Sequence, residues 1–195
     1  MPILGIMASQ ITGHLWAPSG AYDSIASSVV SGSSTGSVTF NSIPQTYTHL
    51  QLRVLARSLT SSASEALYLY NFNNNSGSTG SANHTLSGDG ATVYANGYTG
   101  QYSSFIANIP AATSTANSFG VSITDIFDYA NTNKNKTLRS LFGFDVNGAG
   151  TIGLSSNAPL TLPGTSAITT LTVSLTGGSY LQAGTSIALY GIKGD

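Results

Sequence analysis

The sequence predicts an all-β protein: an antiparallel β-sandwich, jelly-roll-like, with an extended N-terminal arm. Three observations lead there. Apolar residues recur with period two in several runs, the mark of half-buried strands. Clusters of Gly, Ser, Asn and Pro separate these runs at short intervals, as turns require. No stretch joins helix caps to a sustained period of 3.6 residues.

Residues 1–20 come first and stand apart. They hold two prolines and the single tryptophan, Trp16, without alternation. The sequence divides into this arm, 1–20, and a β domain, 21–195. The start lacks the basic region of a signal peptide and reads as part of the working protein. Ile3, Leu4, Ile6, Met7, Ile11, Leu15 and Trp16 give the arm a large apolar content. Exposed apolar surface drives association, so these seven are assigned to docking on a neighbouring subunit or a larger particle. Burying four of them would supply roughly 6–12 kcal/mol before ordering costs. The alternative is an arm folded back on its own domain as an edge strand.

Candidate strands follow at 23–30 and 36–42. In 49–57, Leu50, Leu52, Val54 and Ala56 share one face, with His49, Gln51, Arg53 and Arg57 opposite. A short helix over 61–66 is the best helical candidate. Further strands are read at 66–73, 91–95 and 103–109. Phe119, Val121, Ile123 and Phe127 form an inward set that Asp125 interrupts. Leu138, Phe142, Phe144 and Val146 alternate around Arg139 and Asp145. Leu171, Val173 and Leu175 alternate with threonines and a serine, and Ile187 and Leu189 continue the pattern. Around ten short strands with such turns favour two packed antiparallel sheets, in jelly-roll form.

Composition narrows the function. In 195 residues, 41% are hydrophobic, enough to build a core, but only 7% are charged, against about 25% in ordinary soluble proteins. Ser, Thr, Asn, Gly and Tyr must cover the surface. Six basic residues are scattered and the formal net charge is −1; nucleic-acid binding needs clustered cations, so no such partner is expected. There are no cysteines, which removes disulfides, thiolate metal sites and Cys nucleophiles. No apolar run approaches the roughly 20 residues of a membrane span, so no membrane insertion is expected.

No catalytic constellation emerges. His14, His49 and His84 lack metal-ligand spacing; His49 reads as a solvated strand residue and His84 as a turn or groove residue. No nucleophile elbow, P-loop or dinucleotide fingerprint occurs. Asp125 and Asp128, three apart on a strand, would point to opposite faces unless a bulge intervenes. The run from Asp128 to Asn133 is rich enough in oxygen for a weak Ca²⁺ site, and equally suits a plain turn. The expectation is a protein that is not an enzyme, with no cofactor and no metal. One short stretch does concentrate charge: Asp125, Asp128, Lys134, Lys136 and Arg139. These are the candidate subunit contact, where charge would set register more than affinity; a solvated hairpin with weak ion pairs is the plainer reading.

Three segments carry a family likeness: Ile43 to Arg53, Asp125 to Lys134, and Ile187 to Gly194. With the opening Leu4-Gly5-Ile6-Met7-Ala8-Ser9, they resemble small virion structural proteins of tailed bacteriophages, the tail-fibre-like and minor structural group. The resemblance runs from about Tyr22 onward. Its motifs have no catalytic logic and assign no functional residues. It implies a virion protein, an oligomeric β-sandwich displayed on the particle as part of the tail or fibre apparatus. It also implies a homo-oligomer, with a trimer favoured, other tail or capsid proteins as partners, and a host-surface glycan as a further contact. Two alternatives stay open: a capsid decoration (cement) protein held to the shell by its N-terminal arm, and a free carbohydrate-binding module. Copy number per particle separates fibre from decoration.

Overall fold

The computed structural model describes residues 21–32, 35–70, 72–74, 81–101, 103–145, 147, 150–160, 164–175 and 178–194. The docking-arm residues Ile3, Leu4, Ile6, Met7, Ile11, Leu15 and Trp16 lie outside them. The described residues form twelve strands: β1 (Tyr22–Val29), β2 (Ser37–Phe40), β3 (His49–Ala56), β4 (Ser64–Tyr70), β5 (Ser81–Gly88), β6 (Val93–Gln101), β7 (Ser104–Pro110), β8 (Gly120–Phe127), β9 (Lys136–Asp145), β10 (Gly150–Leu160), β11 (Leu171–Leu175) and β12 (Ser186–Ile192). A single 3-10 turn, Phe72–Asn74, follows β4. The helix expected over 61–66 does not form: its first residues are a bend, and β4 begins at Ser64.

The strands make two antiparallel sheets, one of eight in the order β1-β12-β3-β8-β9-β10-β5-β6, one of four in the order β2-β11-β4-β7. Without β1, β12 and the β9–β10 hairpin, eight strands remain. They read β3-β8-β5-β6 against β2-β11-β4-β7, the order of a jelly roll built from two Greek keys. The added hairpin widens the large sheet between β8 and β5. Strands β5 and β10 are missing from the sequence reading. Both are rich in Ser, Asn and Gly, and such runs look like turns.

The core lies between the sheets. Leu50, Leu52, Val54 and Ala56 of β3 point into it, as their alternation predicts, and meet Leu67, Leu69, Ile106, Ile109, Leu171, Val173, Ile187 and Leu189. On β9, Leu138 and Phe142 point in; Val146 lies outside the described residues. Strand β8 reverses its expected orientation. Gly120, Ser122, Thr124 and Ile126 face inward, while Val121 and Ile123 face outward beside Asp125 and Phe127.

Across the sandwich, β7 is irregular. Its pairing with β4 slips between Leu67↔Ala107 and Tyr68↔Phe105, leaving Ile106 as an extra residue. This bulge turns both Ile106 and Ala107 inward and takes nearby carbonyls out of the ladder. Hydroxyls and amides of the large sheet satisfy them: Ser140 Oγ donates to Ile106 O at 2.5 Å, Ser155 Oγ to Phe105 O at 3.0 Å and Asn157 Nδ2 to Phe105 O at 3.3 Å. Buried carbonyls need partners, so Ser140, Ser155 and Asn157 occupy the inner side of β9 and β10, and on β8 the inward Thr124 Oγ1 bonds Ser140 Oγ at 2.9 Å. Strand alternation then sends their Leu, Ile and Val neighbours outward.

Two buried cations staple loops. Arg57, expected on the polar face, is 3% exposed. Its guanidinium donates to the carbonyls of Ser114, Thr115 and Ser118 at 2.8–3.1 Å. Lys136 is fully buried, and its ammonium donates to the carbonyls of Asn131, Lys134 (3.0 Å) and Thr165 (3.1 Å). Burial pushes its pKa down, with Asp128 acting in the opposite direction.

Candidate functional site

The outer face of the large sheet is assembled by register. One row crosses it as Leu55 on β3, Val121 on β8, Gly143 on β9, Ile152 on β10, Gly88 on β5 and Val93 on β6. The next row reads Arg53, Ile123, Leu141, Leu154, Leu86 and Ala95 on the same strands. These two rows form one apolar field. Its large side chains are well exposed, from 42% for Leu55 to 72% for Ile152 and 75% for Val93. Soluble monomers seldom leave so many adjacent apolar side chains in water.

The third row is polar and hydrogen-bonded. Gln51 Nε2 donates to Asp125 Oδ1 at 2.8 Å, and Arg139 pairs with Asp125 Oδ2 at 3.0 Å. Arg53 Nε donates to Gln51 Oε1 at 2.8 Å, and its guanidinium lies between the Tyr22 and Tyr190 rings, 5.3 and 4.7 Å from their centroids. An apolar field with a polar rim is the usual anatomy of a protein interface. Toward β6 the field holds a hollow of about 390 Å³ lined by His84, Leu86, Ala95, Gly97, Leu154 and Ser156. His84 is thus a groove residue on a strand.

The five charged residues of the candidate subunit contact separate in space. Asp125 and Arg139 lie in the rim beside the apolar field. Asp128 and Lys134 pair at 3.3 Å in the β8–β9 turn, with the lysine mostly exposed. Lys136 must be corrected: its ammonium is enclosed by loop carbonyls and presents no surface charge. Asp125 and Asp128 are not a carboxylate pair. Asp128 sits past the strand with φ 53°, and its N–H donates to His49 Nδ1 at 3.0 Å. In the oxygen-rich loop, two of the carbonyls available to a cation, those of Asn131 and Lys134, already face the Lys136 ammonium. Among the described residues, no three His, Asp or Glu side chains gather to hold a metal ion, and no helix is long and apolar enough to cross a membrane.

Leu55, Leu86, Val93, Leu141, Ile152 and Leu154 are the site residues that sequence reasoning missed. The available signal was double: β8 and β10 alternate Val, Ile or Leu with Ser, Thr or Asn, and either set fits an inner face if the opposing strand offers bare carbonyls. No protein-family model, no curated protein and no solved structure matches the chain.

Proposed function

We propose that the protein is a non-enzymatic structural subunit of a bacteriophage virion, belonging to the tail or fibre apparatus and assembling with copies of itself through the outer face of its large sheet. The apolar field carries this reading. Side chains from β3, β8, β9, β10, β5 and β6 converge there with no core of their own to join. Completing their burial would contribute roughly 7–13 kcal/mol, at 1.5–3 kcal/mol for each fully buried side chain. Two such faces packed together would contribute twice that, about 14–26 kcal/mol, against about 4–15 kcal/mol for rigid-body association. The apolar arm, residues 1–20, would add a further contact.

The low charge density supports the same reading, since little self-repulsion opposes close packing. The Asp125–Arg139 pair and Arg53 at the rim set register between copies. The likeness to tailed-phage virion proteins supplies the particle and favours a trimer.

The test is location and copy number in purified particles. Labelling should place the chain at the tail, with a handful to a few dozen copies, and deletion of residues 2–16 should leave a folded domain that no longer joins the particle. Hundreds of copies on the shell would make it a capsid decoration protein instead. Absence from particles would remove the virion reading.

A further inference from the structure

On its inner side the large sheet carries a second feature. Strands β5 and β6 extend past β7, the edge of the small sheet, and a cleft of about 440 Å³ opens between them. Ligand sites commonly measure about 300–1,000 Å³. One wall is the inner face of the overhang: Asn83, Thr85 and Ser87 on β5, with Asn96 and Tyr98 on β6. The other wall is the edge of the small sheet, where Ala66, Tyr68, Phe105 and Asn108 line the space.

The chemistry of these walls is uniform. Among the described residues, three amides, two hydroxyls and two phenols face the space, and no lining residue is charged. An inner sheet face of this kind cannot close on an apolar core, because buried amides and hydroxyls demand partners. Part of the wall is held in place from behind: Asn83 is 4% exposed and its Oδ1 lies 3.1 Å from Ser155 Oγ, sharing that hydroxyl's single proton with the Phe105 carbonyl. Beside it in register, the buried Asn157 Oδ1 has no hydrogen-bond partner among the described residues. The aromatic side is equally braced. Phe105 packs edge-on between Tyr68 and Phe142, with centroid distances of 5.8 and 5.4 Å. Tyr98 is 52% exposed and presents a rigid ring with a polar tip.

We infer that this cleft is a binding site for a neutral saccharide. Apolar ring faces suit the C–H faces of a sugar, and paired amide donors and acceptors suit its hydroxyls. The absence of a lining cation disfavours sialylated or other acidic sugars. The cleft opens on the opposite side of the sheet from the apolar field, so nothing in it depends on how the subunits assemble.

The experiment uses the full chain on an array of hexose-, N-acetylhexosamine- and sialic-acid-terminated oligosaccharides, followed by saturation-transfer NMR with the same compounds. Retention of neutral sugars is expected, weakened at least about tenfold in Tyr98→Ala and in Asn96→Ala, and unchanged in Tyr180→Ala, an exposed tyrosine that lines neither the cleft nor the apolar field. All three positions are exposed, and a thermal melt of each variant checks that the fold persists. No binding to any sugar, a preference for the acidic ones, or neutral binding that survives both cleft variants would each overturn the assignment.

Discussion

The Ser155 hydroxyl on β10 donates across the sandwich to the Phe105 carbonyl on β7, 3.0 Å away. This bond joins the irregular edge of the small sheet to the polar inner side of the large one. It also fixes which way β10 faces, and so sends Ile152 and Leu154 into solvent.

Replacing Ser155 by Ala removes one of the donors on a buried carbonyl. A loss of about 1–2 kcal/mol in urea-unfolding stability is expected. Ser155→Val, though apolar, is expected to cost more, because it adds volume beside the carbonyl without restoring the bond. A stabilised Val variant would show that the inner face tolerates an apolar layer, and the explanation of the outward field would fail.

Lys136→Met strips the ammonium from three carbonyls that bind the β8–β9 turn to the segment before β11. A loss of about 2–3 kcal/mol is expected. Lys134→Met breaks only the exposed pair with Asp128 and should change stability by less than about 1 kcal/mol. Equal effects from the two substitutions, measured by denaturant titration, would contradict the assignment of Lys136 as the internal cation.

Tyr129 is buried and its hydroxyl donates to the Pro44 carbonyl. Burial raises its pKa above 10.0. Below that value both folded and unfolded chains keep the proton, so its stabilisation is complete. As pH rises past 10.0 the unfolded chain ionises first and binds fewer protons, so stability falls with pH. Tyr68, raised first by burial and then by Glu65 and Tyr98, acts in the same direction; Lys136, lowered by burial, opposes it below its ordinary 10.5. Tyr129→Phe is expected to lose about 1–2 kcal/mol at neutral pH and to show a shallower decline above pH 10.0. Parallel pH–stability curves for the two proteins would refute this.

Much of the fold was legible because alternation is a local signal. Leu50, Leu52, Val54 and Ala56 announce their inward face without help from the rest of the chain, and so do Leu171 and Val173. The orientation of β8 was not legible. Val121 and Ile123 look like core residues until the pairing of Thr124 with Ser140, which itself donates to the distant Ile106 carbonyl, shows that β8 turns its hydroxyls inward. Strands β5 and β10 were not legible for a related reason: their inward Asn83, Thr85, Ser155 and Asn157 give no apolar alternation, because a wet inner wall is not encoded by hydrophobic pattern. The charged stretch was visible, but separating Arg139 at the surface from Lys136 inside required the loop carbonyls around Asn131 and Thr165.

If the outward apolar field joins copies of the chain, charging it must separate them. Sedimentation velocity compares the wild-type chain with a Leu141→Asp, Ile152→Asp double variant, across a range of concentrations. Both positions point to solvent, so the variant should keep the β spectrum and melting behaviour of a folded domain. The wild-type chain is expected to sediment as an oligomer and the double variant as a monomer. A wild-type chain that stays monomeric at every concentration, or a double variant that sediments with it as the same oligomer, would contradict the claim.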